Sequence, residues 1–262
     1  MTKESVKYQR NESVGIITLN RPERLNAIGG DLIRDFVKQL NVAREDKKAV
    51  SVILTGMGTS FCAGEDLKET SAGKTFDTWI AEANGLQDIQ RLILRLDKPL
   101  IAAVQGYALG GGCEFAMSCD IRIAAENAVF GFPETGVGLT VTTGGTKLLS
   151  HLVGLGKAKE LVLTGEFIGA DEAHRIGLAN KVVPVERLQE ESLKMAQAIG
   201  ERSPLALKLS RTAINLGLHS SFEEILEIEA DHLLICVGAQ NQKEYVAKKL
   251  MQMREKGPKS SK

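Results

Sequence analysis

The sequence predicts an α/β fold in which crossover helices join the strands of a largely parallel sheet, with an all-helical segment closing the chain. Three observations predict it. "VSVILTG" (50–56) and "PLIAAVQG" (99–106) are nearly continuous apolar runs ending in glycine, as strands read when both faces of a parallel sheet are buried. Between them lies a segment with apolar residues at helical spacing. After about Val185 strand-like runs cease, and helical patterns fill the rest.

The first strand is "VGIITLN" (14–20), a β-branched run closed by "RPE". From Asp31, the residues Leu32, Ile33, Phe36, Val37 and Leu40 recur at helical spacing. The run at 50–56 follows. A helix of several turns then spans 76–96 with Ile80, Leu86, Ile89, Ile93 and Leu96. The run at 99–106 and "IRIAAE" (121–126) are the next strands. "VERLQEESLKMAQAIGER" and "PLALKLSRTAINLG" read as helices, and so does the long stretch from Ser221 to Lys256, which opens on a capping box of Ser221 and Glu224. We therefore expect a core over 1–195 and a helical region over 196–262 that covers the core or packs against another subunit. There is no strict repeat, and the terminal "GPKSSK" reads as a frayed tail.

Composition bounds the function. With 43% hydrophobic and 25% charged residues the chain is neither disordered nor fibrous. Lys plus Arg and Asp plus Glu number 33 each, so no net charge draws it to nucleic acid or an anionic membrane. Cys62, Cys113, Cys119 and Cys236 form no CxxC pair, and the four histidines show no HxxxH spacing; both argue against a metal site. Free thiols point to the reducing cytoplasm. The N-terminus has no apolar signal core and no visible transit peptide, and no apolar run approaches the ~18 residues of a membrane span.

Chemistry is suggested at two glycine corners. In "ALGGGCEFAMSCD" (108–120) Gly110, Gly111 and Gly112 lead from a strand into a short apolar helix with Glu114 in its first turn. Glycines let a backbone approach a ligand, and a helix start offers unpaired N–H donors that can stabilise an oxyanion. A tight packing turn is the other reading. The spacing matches neither GxGxxG nor a P-loop. "SFCAGEDL" makes a second corner at Ala63 and Gly64, and in a parallel sheet the carboxyl ends of strands share one edge. The amides of Glu65 and Gly111 could thus converge; the Glu65 side chain itself reads as solvated. "FGFPETGVGL" supplies Glu134 in a Pro-bounded loop, either solvated or facing Glu114. Two glutamates in one pocket push one pKa up and separate an acid from a base.

"KPLIAAVQGYALGGGCEFAMSCDIRIA" followed by "FGFPETGVGL" resembles the signature of the enoyl-CoA hydratase/isomerase (crotonase) superfamily. "TLNRPERLNA", "SFCAGEDL" and "LTGEFIGADEAHRIGLANKVVP" resemble its other motifs, in order. The resemblance covers roughly Val14 to Pro204. It implies a ββα spiral core whose C-terminal helices build a homotrimer, often paired into a hexamer. It implies an acyl-CoA thioester as substrate and no metal or redox cofactor. The matching oxyanion donors are the N–H groups of Glu65 and Gly111. Glu114 would deprotonate the water that attacks C3, and Glu134 would protonate C2. Arg24, Ala27, Ala63, Gly64, Asp66, Leu67, Lys68, Gly110 and Thr142 fall where members contact the CoA ester. Together these imply an enoyl-CoA hydratase. The alternatives within the fold are a double-bond isomerase, which can run with Glu134 alone, and a hydratase-lyase or hydrolase. Outside enzymes, the alternative is a scaffold that binds CoA esters or RNA.

The chain departs from the family at two places. Val141-Thr142 stands where many hydratases have Pro-Gly, and Tyr245 and Lys249 replace residues usual in the last helix. If the hydroxyls of Thr142 and Thr143 face the acyl pocket, a polar or cyclic acyl group is expected. Otherwise they cap the helix starting near Gly144.

Overall fold

The computed structural model describes residues 4–240 and 242–255. The chain divides into two compact units, Met1–Ile199 and Gly200–Lys262. The expected boundary at 195/196 falls inside a continuous helix, Leu188–Gly200.

The strands of the first unit are β1 (Val6–Asn11), β2 (Val14–Leu19), β3 (Ser51–Gly56), β4 (Leu100–Val104), β5 (Tyr107–Leu109), β6 (Ile121–Ala125), β7 (Val129–Gly131), β8 (Ile168–Gly169) and β9 (Lys181–Val183). Its helices are α1 (Leu32–Glu45), α2 (Leu67–Ser71), α3 (Phe76–Leu94), α4 (Gly111–Ser118), α5 (Gly145–Val153), α6 (Leu155–Thr164), α7 (Ala170–Arg175) and α8 (Leu188–Gly200). The main sheet runs β1-β2-β3-β4-β6-β9 and is parallel from β2 onward. A smaller sheet runs β5-β7-β8.

Every residue of β3 and β4 is buried. Alternation sends Val52, Leu54, Leu100 and Ala102 into one core and Ile53, Ile101 and Ala103 into another, where Leu188 and Ala196 of α8 cover them. The continuous apolar runs are therefore strands buried on both faces, as expected. β1 escaped the sequence reading because it is an antiparallel edge strand with mostly solvent-facing side chains and no apolar run. It turns into β2 through Glu12, whose φ is 52°. β5, β7 and β8, at three residues or fewer, are too short for a periodicity.

The second unit holds α9 (Pro204–Gly217), α10 (Phe222–Gly238) and α11 (Gln242–Glu255). α10 opens on the expected capping box: Glu224 N–H donates to Ser221 Oγ, and Ser221 N–H donates to the Glu224 carboxylate at 2.7 Å. The single long helix expected after Ser221 is two helices. Gln240, at φ 58°, takes the left-handed conformation that terminates a helix, just after Gly238. The "GPKSSK" tail lies outside the described residues.

Candidate active site

Two backbone corners are locked together by close approach. Cys62 N–H donates to Tyr107 O (2.8 Å) and Leu109 N–H donates to Cys62 O (3.0 Å), so the turn after β3 runs along β5. A Cβ on Gly112 would lie 2.2 Å from Cys62 O, so only glycine lets the first turn of α4 sit there. Gly110 precedes it at φ 52°, ψ −127°, a conformation side chains disfavour. The packing reading of the glycines is therefore correct, and the same packing aims donors at the cavity. Gly111 is the first residue of α4, so its N–H has no intrahelical acceptor. Ile28 N–H donates to Gly64 O (2.7 Å) and Asp66 N–H to Ile28 O (2.9 Å). Alternation along this strand-like segment turns the intervening Glu65 N–H to the opposite side.

A cavity of about 240 Å³ brings together Ala63, Gly64, Glu65, Leu67, Gly110, Gly111, Glu114, Glu134 and Thr142. Ile28, Trp79, Leu86, Val137 and Leu139 supply apolar walls.

The two glutamates meet in opposed environments. Glu114, 2% exposed, rises from α4 and is gripped by the turn entering α5. Thr143 N–H (2.7 Å) and Gly145 N–H (3.1 Å) donate to its Oε1, and Thr142 N–H (3.3 Å) to its Oε2. Glu134 sits in a 3-10 turn, Pro133–Val137, that follows β7. Gly110 N–H donates to Gly131 O at 2.9 Å, which draws this turn beside the glycine corner. Both Glu134 carboxyl oxygens are buried without a partner. Burial pushes Glu134 from the ordinary 4.5 up to about 7, and the nearby Glu114 charge adds to the rise. One carboxylate is fixed by donors, and the other is poised to carry a proton near neutrality. The neighbouring thiols are inert: burial pushes Cys62 up to about 12 and raises Cys113 as well.

Arg24, Ala27, Asp66 and Lys68 lie outside the cavity lining. Asp66 is buried; its carboxylate caps α2 and pairs with Arg21 at 3.2 Å, while its N–H donates to Ile28 O and its C=O accepts from Thr70 N–H. Arg24 and Lys68 enter no ion pair recorded among the described residues. Asn26, fully buried, ties this loop down through its side chain to Arg21 N–H, Met57 O and Ser60 O.

Two expectations need correction. Thr142 Oγ donates to Thr140 O at 3.0 Å, and Thr143 Oγ is buried without a partner; the N-cap of α5 is Gly144, with no side-chain cap. The threonines thus neither cap the helix nor offer a free hydroxyl from Thr142, because the segment works through its N–H groups. The Glu65 side chain is not solvated. It accepts from Thr70 and pairs with Lys74, which also pairs with Glu82 at 2.6 Å and lies 4.6 Å from the Trp79 ring centre. Sequence reasoning missed Lys74, Trp79 and Glu82, although Trp79 is the chain's single tryptophan.

Residues 9–259 match the family model for enoyl-CoA hydratase/isomerase. The chain is 43% identical to the short-chain-enoyl-CoA hydratase of Clostridium acetobutylicum, over 93% of this chain and 94% of that one. It is 42% identical to the crotonyl-CoA hydratase of Syntrophomonas wolfei, over the same shares. Its fold superposes on the crystal structure of an enoyl-CoA hydratase from Polaromonas sp. JS666 with a TM-score of 0.90 and 33% identity, covering 94% of this chain and 97% of that one. With this crotonase fold, the chain belongs to the enoyl-CoA hydratase/isomerase family and is an enzyme of the enoyl-CoA hydratase type.

Proposed function

We propose that Glu65 and Gly111 form the oxyanion hole, and that Glu114 and Glu134 move the protons, in the addition of water across C2=C3 of an α,β-unsaturated acyl-CoA. The observation that carries this reading is the pair of glutamates in opposed environments in one cavity, which Glu65 and Gly111 also line. Glu114 takes a proton from water as its oxygen bonds to C3. The C2=C3 electron pair shifts toward the thioester, and charge collects on the carbonyl oxygen. Two fixed N–H donors stabilise that enolate, each worth about 3 kcal/mol. Glu134, protonated near neutrality, then delivers its proton to C2. No electron leaves the substrate, so the step needs no redox cofactor, and the two N–H donors supply the carbonyl polarisation that a metal would otherwise give.

Arg24, Ala27, Ala63, Gly64, Asp66, Leu67, Lys68, Gly110 and Thr142 would hold the CoA ester. The uncommitted cations of Arg24 and Lys68 suit its phosphates. The names of the two relatives support a short acyl chain. We read the working form as a homotrimer or hexamer in the cytoplasm, with no nucleic acid or membrane partner. Four free cysteines suit that compartment, and no helix of the described residues is long and apolar enough to cross a membrane. Incubation with crotonyl-CoA should remove the conjugated chromophore by hydration. Migration of a 3-enoyl double bond without hydration would favour an isomerase, and binding without turnover would favour a scaffold.

A further inference from the structure

The cavity wall made by α2, α3 and the turn between them carries charge inside an otherwise apolar surface. Lys74, its side chain 9% exposed, spans the carboxylates of Glu65 and Glu82, and the Glu82 side chain is 11% exposed. Two carboxylates share this one lysine. Lys74 directs its ammonium to Glu82 Oε2, at 2.6 Å, and to Glu65. Glu82 Oε1 is left buried with no hydrogen-bond donor, and Glu82 lines the same cavity as Glu114 and Glu134. A buried carboxyl oxygen without a donor is costly. Nothing about water addition at C3 requires it, and a plain alkyl chain would leave it unpaired.

We propose that Glu82 is a specificity-determining residue, and that the acyl group this enzyme takes carries a hydroxyl beyond C3 that hydrogen-bonds Glu82 Oε1. This rests on the hydratase reading of the same site and names its substrate class. Burial, and then a hydrogen bond between its carboxyl group and that of Glu65, push Glu82 above the ordinary carboxylate value. A hydroxyl serves either protonation state, because it donates to a carboxylate and accepts from a carboxylic acid. Trp79, held by the Lys74 ammonium, gives the intervening methylenes an apolar surface. The polar contact sought from Thr142 thus comes from Glu82 of α3 in the same cavity.

The test measures kcat/KM for 2-hexenoyl-CoA and for its 4-, 5- and 6-hydroxy derivatives, in the wild type, Glu82→Leu and Glu82→Gln. The wild type should favour at least one hydroxylated ester by about tenfold or more. Glu82→Leu should lose that preference, while Glu82→Gln, whose side-chain oxygen still accepts, should keep its sign. A wild type that favours the plain ester over all three derivatives overturns the proposal, whatever the variants do. So does a Leu variant that keeps the wild-type ratio. Hydration of the plain ester in those same assays leaves the hydratase reading standing; only absence of hydration on every ester would remove both.

Discussion

Glu114 and Glu134 are the same residue type in different surroundings. Three N–H donors fix one carboxylate, while burial keeps a proton on the other. Replacing either with Gln should lower hydration of crotonyl-CoA by ~10²-fold or more, the usual range for a general acid or base. Wild-type turnover in both folded variants would contradict the two-glutamate mechanism. With Glu134 as the proton donor, kcat/KM should fall as pH rises through about 7, and that limb should be absent from the residual activity of Glu134→Gln. The same shift has a sign for stability. The folded value, about 7, lies above the ordinary 4.5, so between those values the unfolded chain releases a proton that the folded one retains. Folding therefore loses stability across that window and does not regain it above pH 7. Glu134→Gln should raise the melting temperature at pH 8 by a few degrees, about 1–2 kcal/mol, and leave it unchanged at pH 4. A variant that melts below the wild type at pH 8 would contradict the burial argument.

At the scale of elements, the site depends on helix starts set against neighbouring backbone. A Cβ on Gly145 would lie 2.7 Å from Glu114 Oε1 and 2.8 Å from Val141 Cγ1. Gly145→Ala should therefore displace the carboxylate and lower kcat by between about tenfold and a hundredfold, the cost of a misplaced group. Thermal melting should change little, because the obstacle is largely a side chain in a cavity. Gly112→Ala differs in kind. Its Cβ would meet a backbone carbonyl at 2.2 Å, which cannot rotate away. Loss of about 1–3 kcal/mol of stability is expected, as in overpacked cores, together with loss of hydration as the two amides separate. Equal melting curves for this variant and the wild type would show that the corners are not locked.

Over the whole molecule, much apolar surface lies outside any core. In the single chain Ile214 is 72% exposed, Phe222 80% and Leu234 67%. Patches of this kind mark association surfaces. Light scattering at micromolar concentration should return the mass of a trimer or hexamer. A monomer mass would sink that reading and remove neighbouring subunits from any part in the CoA site.

What the sequence by itself determined is local. Continuous apolar runs declared β3 and β4 buried on both faces, Ser221 and Glu224 declared a helix start, and the glycines of 110–112 declared a close approach. Each is a property of neighbouring residues and of the backbone they permit. The fold class and the candidates Glu65, Gly111, Glu114 and Glu134 were legible for that reason, with family motifs adding their roles. Only tertiary structure decided what surrounds them. The donors to Glu114 come from 142–145, across a chain separation that no periodicity spans. The raised pKa of Glu134 is a consequence of desolvation, which exists only once the chain has folded around it. The Lys74 bridge between Glu65 and Glu82 was invisible for the same reason: charges at loop and helix positions read as solvated until packing removes the water.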